Sequence, residues 1–196
     1  MGQVHKEKTT MSNRNTQGFG LIAAGALGST PATSGQGKYK IDAGYGTTLF
    51  HGGAVASAAG YIVDGQTADA PILGVLNGIF YNAATTLKPT FANHYVQVTP
   101  ANSEDIDAFV FDNPQQQYVV ATDDAVAQAG YLETYDMNVS AGSTTTGQSS
   151  ATLDIGDTSA DAASWRLLRS AEDPENDENA AFRSVVVVAN LIELQN

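Results

Sequence analysis

The chain has 196 residues, a formal net charge of −12 and no cysteine. This length suits one domain that buries a core without crosslinks, and the absence of cysteine excludes disulfide scaffolds, thiol catalysis and iron–sulfur clusters. No apolar run approaches the roughly 20 residues of a membrane helix. The polar first 18 residues do not resemble a secretory signal, so we expect the protein to act in the compartment where it is made and to have no membrane partner.

Charge divides the chain into a basic beginning and an acidic remainder. Residues 1–40 hold five basic residues and only Glu7 as an acid, whereas residues 41–160 hold thirteen acids and only Lys88 as a base. An acidic surface repels phosphate backbones, so no nucleic acid partner is expected for this part of the protein. The basic beginning is either a solvated tail or a strap on a neighbouring acidic subunit.

Amino-acid composition and the pattern of apolar residues predict two regions. Residues 1–37 are rich in Gly, Ser, Thr, Ala and Asn and poor in large apolar side chains, which predicts a flexible or extended N-terminal arm. Residues 38–196 alternate apolar and polar positions in short runs, which predicts the folded body.

The first half of the body reads as short strands in chain order. The run "KYKIDAGYGTTLF" is followed by the turn "HGG", and "AVAS" and "GYIV" then form two further short strands. The strongest apolar run, "PILGVLNGIFY", holds glycines at positions 74 and 78. These glycines fit a bent strand better than a helix, where each would cost about 1 kcal/mol.

The second half continues with strands and one helix. "IDAFVFD" and "QQYVVAT" predict a hairpin around "DNPQ", and "TDDAVAQAG" predicts one short helix near residues 123–129, with Thr122 or Asp123 as N-cap and Gly130 past its end. "YLETYDMNVS" and "SSATLDIG" predict a second hairpin. The final "SVVVV" run predicts a strand buried on both faces. Roughly ten short strands indicate an all-β fold, a small barrel or a sandwich.

The stretch "YGTTLFHGGAV" contains the histidine in the most ordered context, His51. We interpret this stretch as a corner, that is, a tight turn between two strands, in which Phe50 and Val55 contact the core. Gly52 and Gly53 would supply the positive φ of a tight turn, and His51 would point outward.

Motifs for catalysis and cofactor binding are not found, so we predict no enzyme, no cofactor and no catalytic or metal-binding residue. No serine lies in a nucleophile motif beside a histidine base. A metal site from His5, His51 and His94 would have to gather distant segments that lack ligand spacing. The acidic loop at residues 173–179 lacks the glycine and glutamate of a calcium loop, which favours a solvated loop over a weak calcium site.

Two further side chains have a predicted packing role. His94 follows a strand and is expected to be half-buried or on the surface. Trp165, the single tryptophan, is expected in the core, with a subunit interface as the alternative because Trp beside Arg is common in binding hot spots.

Several stretches together resemble a known family. The matching positions are Leu49, Phe50, Gly52, Val55, Gly74, Val75, Gly78, Tyr81, Lys88, Pro89, Phe91, Asp112 and Pro114. Over residues 45–190 their order resembles the small β-barrel head decoration, or cement, proteins of tailed bacteriophages. The chain departs from that pattern at His51, where the family often has an aromatic residue, and at Gly53, where it often has an acid.

The resemblance implies a virion structural protein that is made in the host cytoplasm and binds the outer surface of the phage head, and it implies no reaction. Its partners would be the major capsid protein and further copies of this chain, with a trimer favoured over a dimer. A receptor- or glycan-binding module of a phage tail or fibre is the alternative. A small hydrolase would require His51 and a carboxylate to share a pocket.

Overall fold

The structure is a computed structural model that describes residues 13, 15–28, 35–65, 70–138, 142–158 and 163–195. His5 and three bases of the predicted arm, Lys6, Lys8 and Arg14, lie outside the described residues. The prediction of a basic strap therefore stays a prediction.

The fold is all-β, as predicted, with two six-stranded antiparallel sheets. Sheet A has the order β1-β8-β12-β11-β9-β10, and its strands are β1 (Ile22–Ala26), β8 (Gln116–Ala121), β9 (Thr134–Asn138), β10 (Thr152–Thr158), β11 (Trp165–Ser170) and β12 (Ser184–Ala189). Sheet B has the order β2-β7-β5-β3-β4, with β6 paired to β5, and its strands are β2 (Gly37–Ile41), β3 (Ala54–Ala58), β4 (Tyr61–Asp64), β5 (Gly74–Asn82), β6 (Pro89–Ala92) and β7 (Ile106–Phe111). Short 3₁₀ turns cover Ala101–Ser103, Gln128–Gly130 and Glu193–Gln195.

Of the two predicted architectures, the structure has the sandwich of short strands. Within the described ranges neither sheet closes into a barrel, although sheet B curls far enough to bring β4 near β2. Sheet B therefore has two faces with different surroundings. We call them the front face, part of which packs on sheet A, and the back face, which encloses its own core.

Two apolar clusters fill the molecule. Cluster A lies between the sheets and contains the inner residues of sheet A together with Ala54, Ile72 and Val75. Trp165 lies in it, 1% exposed and edge-on to Tyr118 at 5.6 Å between ring centroids, which confirms the predicted core position. Cluster B lies on the back face and contains Ile41, Leu49, Val55, Ile62, Leu73, Leu76, Ile79, Tyr95, Ile106, Ala108 and Val110.

The apolar spacing in β5 explains its bend. Leu76 and Ile79 both belong to cluster B although they are three positions apart, and a regular strand would place such residues on opposite faces. The register with β7 shifts between Leu76 and Gly78, so Asn77 is the extra residue of a bulge. The predicted bent strand is confirmed, and the bulge is what bends it.

The β-branched run near the end of the chain forms the predicted strand with two buried faces. In β12, Val185 and Val187 belong to cluster A, and Val186 and Val188 on the other face are only 4% and 6% exposed. The strand pairs with β8 on one side and β11 on the other.

Two hairpins are present, of which β9–β10 confirms a predicted hairpin, whereas β3 and β4 were predicted only as two short strands. β3 and β4 pair through a turn in which Ala59 and Gly60 both have positive φ, 51° and 87°. That geometry matches the right-handed twist of the two strands. β9 and β10 also pair, with Leu153 opposite Met137.

The hairpin predicted around "DNPQ" is wrong. β7 belongs to sheet B and β8 to sheet A, so the chain crosses between the sheets at this point. The turn itself is present, since the Gln116 N–H donates to the Asn113 carbonyl at 2.9 Å across Pro114. The Tyr118 hydroxyl then donates to the Phe111 carbonyl at 3.1 Å, which holds the crossing in place. A tight turn fixes a change of direction but not which strand becomes the neighbour.

The helix predicted near residues 123–129 is also wrong, because only Gln128–Gly130 form a short 3₁₀ turn there. Asp123 continues the sheet instead. Its N–H donates to the Leu153 carbonyl at 3.0 Å, and its carboxylate accepts the Ile155 N–H at 2.9 Å. A seven-residue segment is too short to be a stable helix without packing, so these strand contacts outweigh its capping pattern.

The predicted arm over residues 1–37 is too long at its C-terminal end. Residues 22–26 form β1 of sheet A and pair with β8, and Leu21 is 2% exposed in cluster A. Asn13 is also buried, at 6% exposure. This segment folds with few apolar residues because β1 pairs with a strand of sheet A and Leu21 packs into a core that other segments form.

Candidate interaction surface

The corner at His51 is held together mainly by backbone groups. The Gly52 N–H donates to the Leu76 carbonyl at 2.9 Å, and the Leu76 N–H donates to Gly53 at 3.0 Å. Gly52 has φ of +75°, as predicted, but Gly53 is not among the positive-φ glycines. Val55 is buried as predicted, whereas Phe50 is only half-buried and Leu49 takes the core position.

His51 does not point freely outward. The side chain is half-buried, and its Nδ1 lies 2.9 Å from the carbonyl oxygen of Asn77, the bulge residue of β5. A carbonyl can only accept, so this hydrogen bond places the proton on Nδ1. The ring therefore satisfies a carbonyl at the bulge, and its partner is not a carboxylate as a hydrolase would need.

The other histidines do not join His51 in a metal site. His94 is half-buried, as predicted, and its ring stacks parallel to Phe50, with centroids 6.3 Å apart. His5 lies outside the described residues. In the described ranges, no group of three His, Asp or Glu side chains is arranged to hold a metal ion.

The acidic loop between β11 and β12 is organised by two asparagines. Asn176 donates to Ser170 and to the Ser184 carbonyl, and its side-chain oxygen accepts the Ser184 N–H. Asn13 donates to the carbonyls of residues 177, 180 and 181 and accepts the Asp177 N–H. The Asp177 carboxylate accepts the N–H of Asn179, so a carboxylate of this loop caps the loop's own backbone.

The front face of sheet B carries an aromatic patch, formed by the exposed Phe91 and the half-buried Phe80 and Phe109. Direct partners in antiparallel strands share a face, and the register pairs Phe80 with both Phe91 and Asp107. The rings of Phe91 and Phe109 lie 6.3 Å apart between centroids. Phe91 is 63% exposed, and Leu87, just before β6, is 72% exposed.

Gly78 makes room for this patch. A Cβ at position 78 would lie 2.9 Å from the Phe91 ring and 3.0 Å from the Ala92 carbonyl oxygen. The glycine is buried although it faces the front, which means that the Phe91 ring covers it. Glycine at this position thus lets an aromatic ring lie flat on the sheet.

A cluster of charges borders the patch on the β2 side. Lys38 and Lys40 place their Nζ atoms 2.7 and 2.6 Å from the two carboxylate oxygens of Asp107. Burial raises the pKa of Asp107, but the hydrogen bonds from the two lysines outweigh it, so the pKa lies below its ordinary value. The hydrogen bond to Asp107 in turn raises the pKa of Lys40. Asp105 and Glu104 also lie near Lys40 and raise its pKa further, so this border carries charges of both signs.

This arrangement of rings and charges is suited to binding. Exposed rings offer apolar and stacking contacts, and the lysines can reach acidic groups on a partner. Sequence reasoning had singled out Phe91 within the resemblance but missed Phe80, Phe109 and Asp107. The alternation in "IDAFVF" could have revealed the last two, since Asp107 and Phe109 fall on the face opposite the apolar Ile106, Ala108 and Val110.

Comparison of the chain with protein-family models, with curated proteins and with solved structures found no match. In the part of the chain that the structure describes, no helix is long and apolar enough to cross a membrane. The surface geometry and the sequence resemblance are therefore the grounds on which a function can be argued.

Proposed function

We propose that the protein is a virion structural protein, a decoration or cement protein that binds the outer surface of a phage head and stabilises the shell. The observation that carries this proposal is the aromatic patch of Phe80, Phe91 and Phe109 on a rigid sheet, bordered by Lys38 and Lys40. Soluble proteins seldom leave grouped aromatic rings uncovered unless a partner covers them.

The residues that carry the resemblance support this assignment by their position. Gly78, Pro89 and Phe91 come from two separate matched stretches, and the structure brings them to the same strand pair, β5 and β6. Leu49, Val55 and Val75, by contrast, are buried and serve the core. The matched positions thus combine core residues with an exposed ring, although the described strands form a sandwich and not the closed barrel that the resemblance implies.

In this proposal the aromatic patch contacts the major capsid protein, and the exposed amino groups of Lys38 and Lys40 exchange Asp107 for acidic groups on the shell. Many copies of a weak contact then add up through multivalency. Further copies of this chain are the second partner, in a trimer by preference. The protein would be made in the host cytoplasm and reach the virion by binding the assembled head.

The test is binding to isolated heads of the phage that encodes the chain, measured by co-sedimentation. We expect the protein to bind expanded heads but not unexpanded ones, and to raise the temperature at which the heads open. Phe91→Ala should lose most binding while Leu194→Ala, which removes another exposed apolar side chain far from β6 in sequence, should not. Absence of binding to either kind of head would end this proposal.

A receptor- or glycan-binding module of a tail or fibre is a second candidate, favoured by the same aromatic rings. Sugar faces stack on aromatic rings, and Asp107 with Lys40 could hydrogen-bond sugar hydroxyls nearby. Quantitative gels of whole particles separate the two functions. A decoration protein should be present in hundreds of copies and a fibre module in tens or fewer, and only the latter should bind glycans when the isolated protein is tested.

A further inference from the structure

A separate feature lies on sheet A, where a cleft of about 570 Å³ opens between the β8–β9 loop and the β11–β12 loop. Its lining includes Val126, Gln128, Tyr131, Leu132, Asn179 and Arg183. Clefts of a few hundred cubic ångströms with apolar walls and a few polar groups are the usual form of small-ligand sites.

Arg183 is the unusual residue of the cleft. Its side chain is only 2% exposed, although arginines are seldom buried unless fully paired. Its guanidinium carbon lies 5.6 Å from the centre of the Tyr131 ring. Among the described residues its buried Nε has no hydrogen-bond partner, and Nη2 donates to Glu178 at 3.2 Å.

The contact with Glu178 is weak for a charged pair. Hydrogen bonds between a guanidinium and a carboxylate are typically about 2.7–2.9 Å long and often use two donors in parallel. Here one donor reaches one oxygen at 3.2 Å, and the Glu178 side chain is 75% exposed. An exposed carboxylate held this loosely can be replaced by another at little cost.

The backbone around Arg183 is hydrogen-bonded and its guanidinium is buried over the Tyr131 ring, so the cation is held in position before any ligand arrives. The Thr122 N–H donates to the Arg183 carbonyl at 2.9 Å, and the Phe182 N–H donates to the Thr122 carbonyl at 2.9 Å. Asn176 and Asn13 hold the acidic loop that carries Glu178. The site thus combines a rigid cation with a carboxylate that is free to move away.

We propose that this cleft binds a carboxylate ligand, which displaces Glu178 from Arg183 and pairs with Nε and Nη2 together. Val126, Tyr131 and Leu132 would receive an apolar portion next to the carboxylate, and the side-chain amides of Gln128 and Asn179 would lie within the cleft. The chemistry fits both a free small carboxylic acid and an acidic side chain of a protein, and Glu178 acts as the built-in competitor of either.

The test uses the full chain and two probes, benzoate and a blocked tripeptide with a central glutamate, with benzamide as the uncharged match for benzoate. Binding is followed by NMR through the side-chain amide signals of Gln128 and Asn179. We expect at least one carboxylate to shift these signals and benzamide not to do so. Tighter binding of benzoate would identify a free acid as the ligand, and tighter binding of the tripeptide would identify an acidic side chain of a protein.

Variants separate this site from general charge effects. Glu178→Gln should tighten binding about threefold, because the Glu178 carboxylate no longer competes with the ligand for Arg183. Glu172→Gln, the same charge change in the same loop outside the cleft, should leave affinity unchanged. Arg183→Lys should weaken binding more than tenfold, since lysine lacks the two parallel donors. Absence of signal shifts with both carboxylates, in the wild type and in Glu178→Gln, would overturn the proposal, and so would equal tightening by Glu172→Gln.

Discussion

The front face of sheet B has two ends that differ in what covers them. At one end Ala54, Val75 and Phe111 pack into cluster A beneath sheet A. At the other end Phe80, Phe91 and Phe109 continue the same face with equally apolar side chains, and cluster A does not include them. The residue types alone therefore do not separate core from surface on this face. What separates them is whether the side chain belongs to the core between the sheets, as Ala54, Val75 and Phe111 do.

The largest difference between the two ends should appear in stability. Trp165→Ala removes the largest fully buried side chain of cluster A, and we expect a loss of about 3–5 kcal/mol in the free energy of unfolding. Phe91→Ala at the uncovered end should cost less than about 1 kcal/mol, because the ring is mostly exposed already. Urea denaturation of both variants measures the contrast. Equal losses would mean that the patch is part of the core.

A smaller effect is expected from Gly78→Ala, which places a methyl group under the Phe91 ring. The ring and the backbone of Ala92 must both shift, and overpacking of this kind costs about 1–3 kcal/mol. Gly46→Ala is the control, since nothing lies within 4 Å of a Cβ built there. Unfolding midpoints and the aromatic NMR signals of Phe91 provide the measurement. An unchanged Phe91 signal would show that the ring does not rest on Gly78.

The smallest effect concerns the charges beside the patch. Asp107 has a lowered pKa when folded, so its stabilising contribution is present above the unfolded pKa of about 3.9 and is lost as pH falls through the folded value. Lys40 has a raised pKa, so its contribution is present below about 10.4 and is lost as pH rises through the folded value.

Because both lysines are at least half exposed, Asp107→Asn should cost less than about 1 kcal/mol near neutral pH. The difference from wild type should shrink toward both extremes of pH. Urea midpoints measured at several pH values provide the check. A difference that grows toward acid pH would contradict the assigned ion pairs.

The sequence predicted the strands well where alternation and turn residues act locally. The bent strand at Gly74 and Gly78, the β9–β10 hairpin and the two buried faces of β12 all follow from residues close to one another. The role of Asn13 could not be predicted in this way, because its partners near Asp177 are 164 residues away. The same holds for the crossing at Pro114, where the neighbour of each strand is chosen by the whole sheet.

The candidate surfaces were only partly predictable for the same reason. Phe91 is one of the positions that carry the family resemblance, but the aromatic patch forms only when β5, β6 and β7 are adjacent. Arg183 follows an acidic loop in the sequence and resembles a solvated residue there. Its burial depends on Tyr131 from a different loop, which no local pattern reveals.

The position of β12 has a consequence for how the chain folds during synthesis. β12 is the last strand in chain order, yet it lies between β8 and β11 and joins the two halves of sheet A. Until Ser184–Ala189 leave the ribosome, β8 and β11 each present an unpaired edge, and such edges invite pairing with other chains. Folding of sheet A must therefore wait until β12 has been synthesised, and a chain that stops before β12 should aggregate.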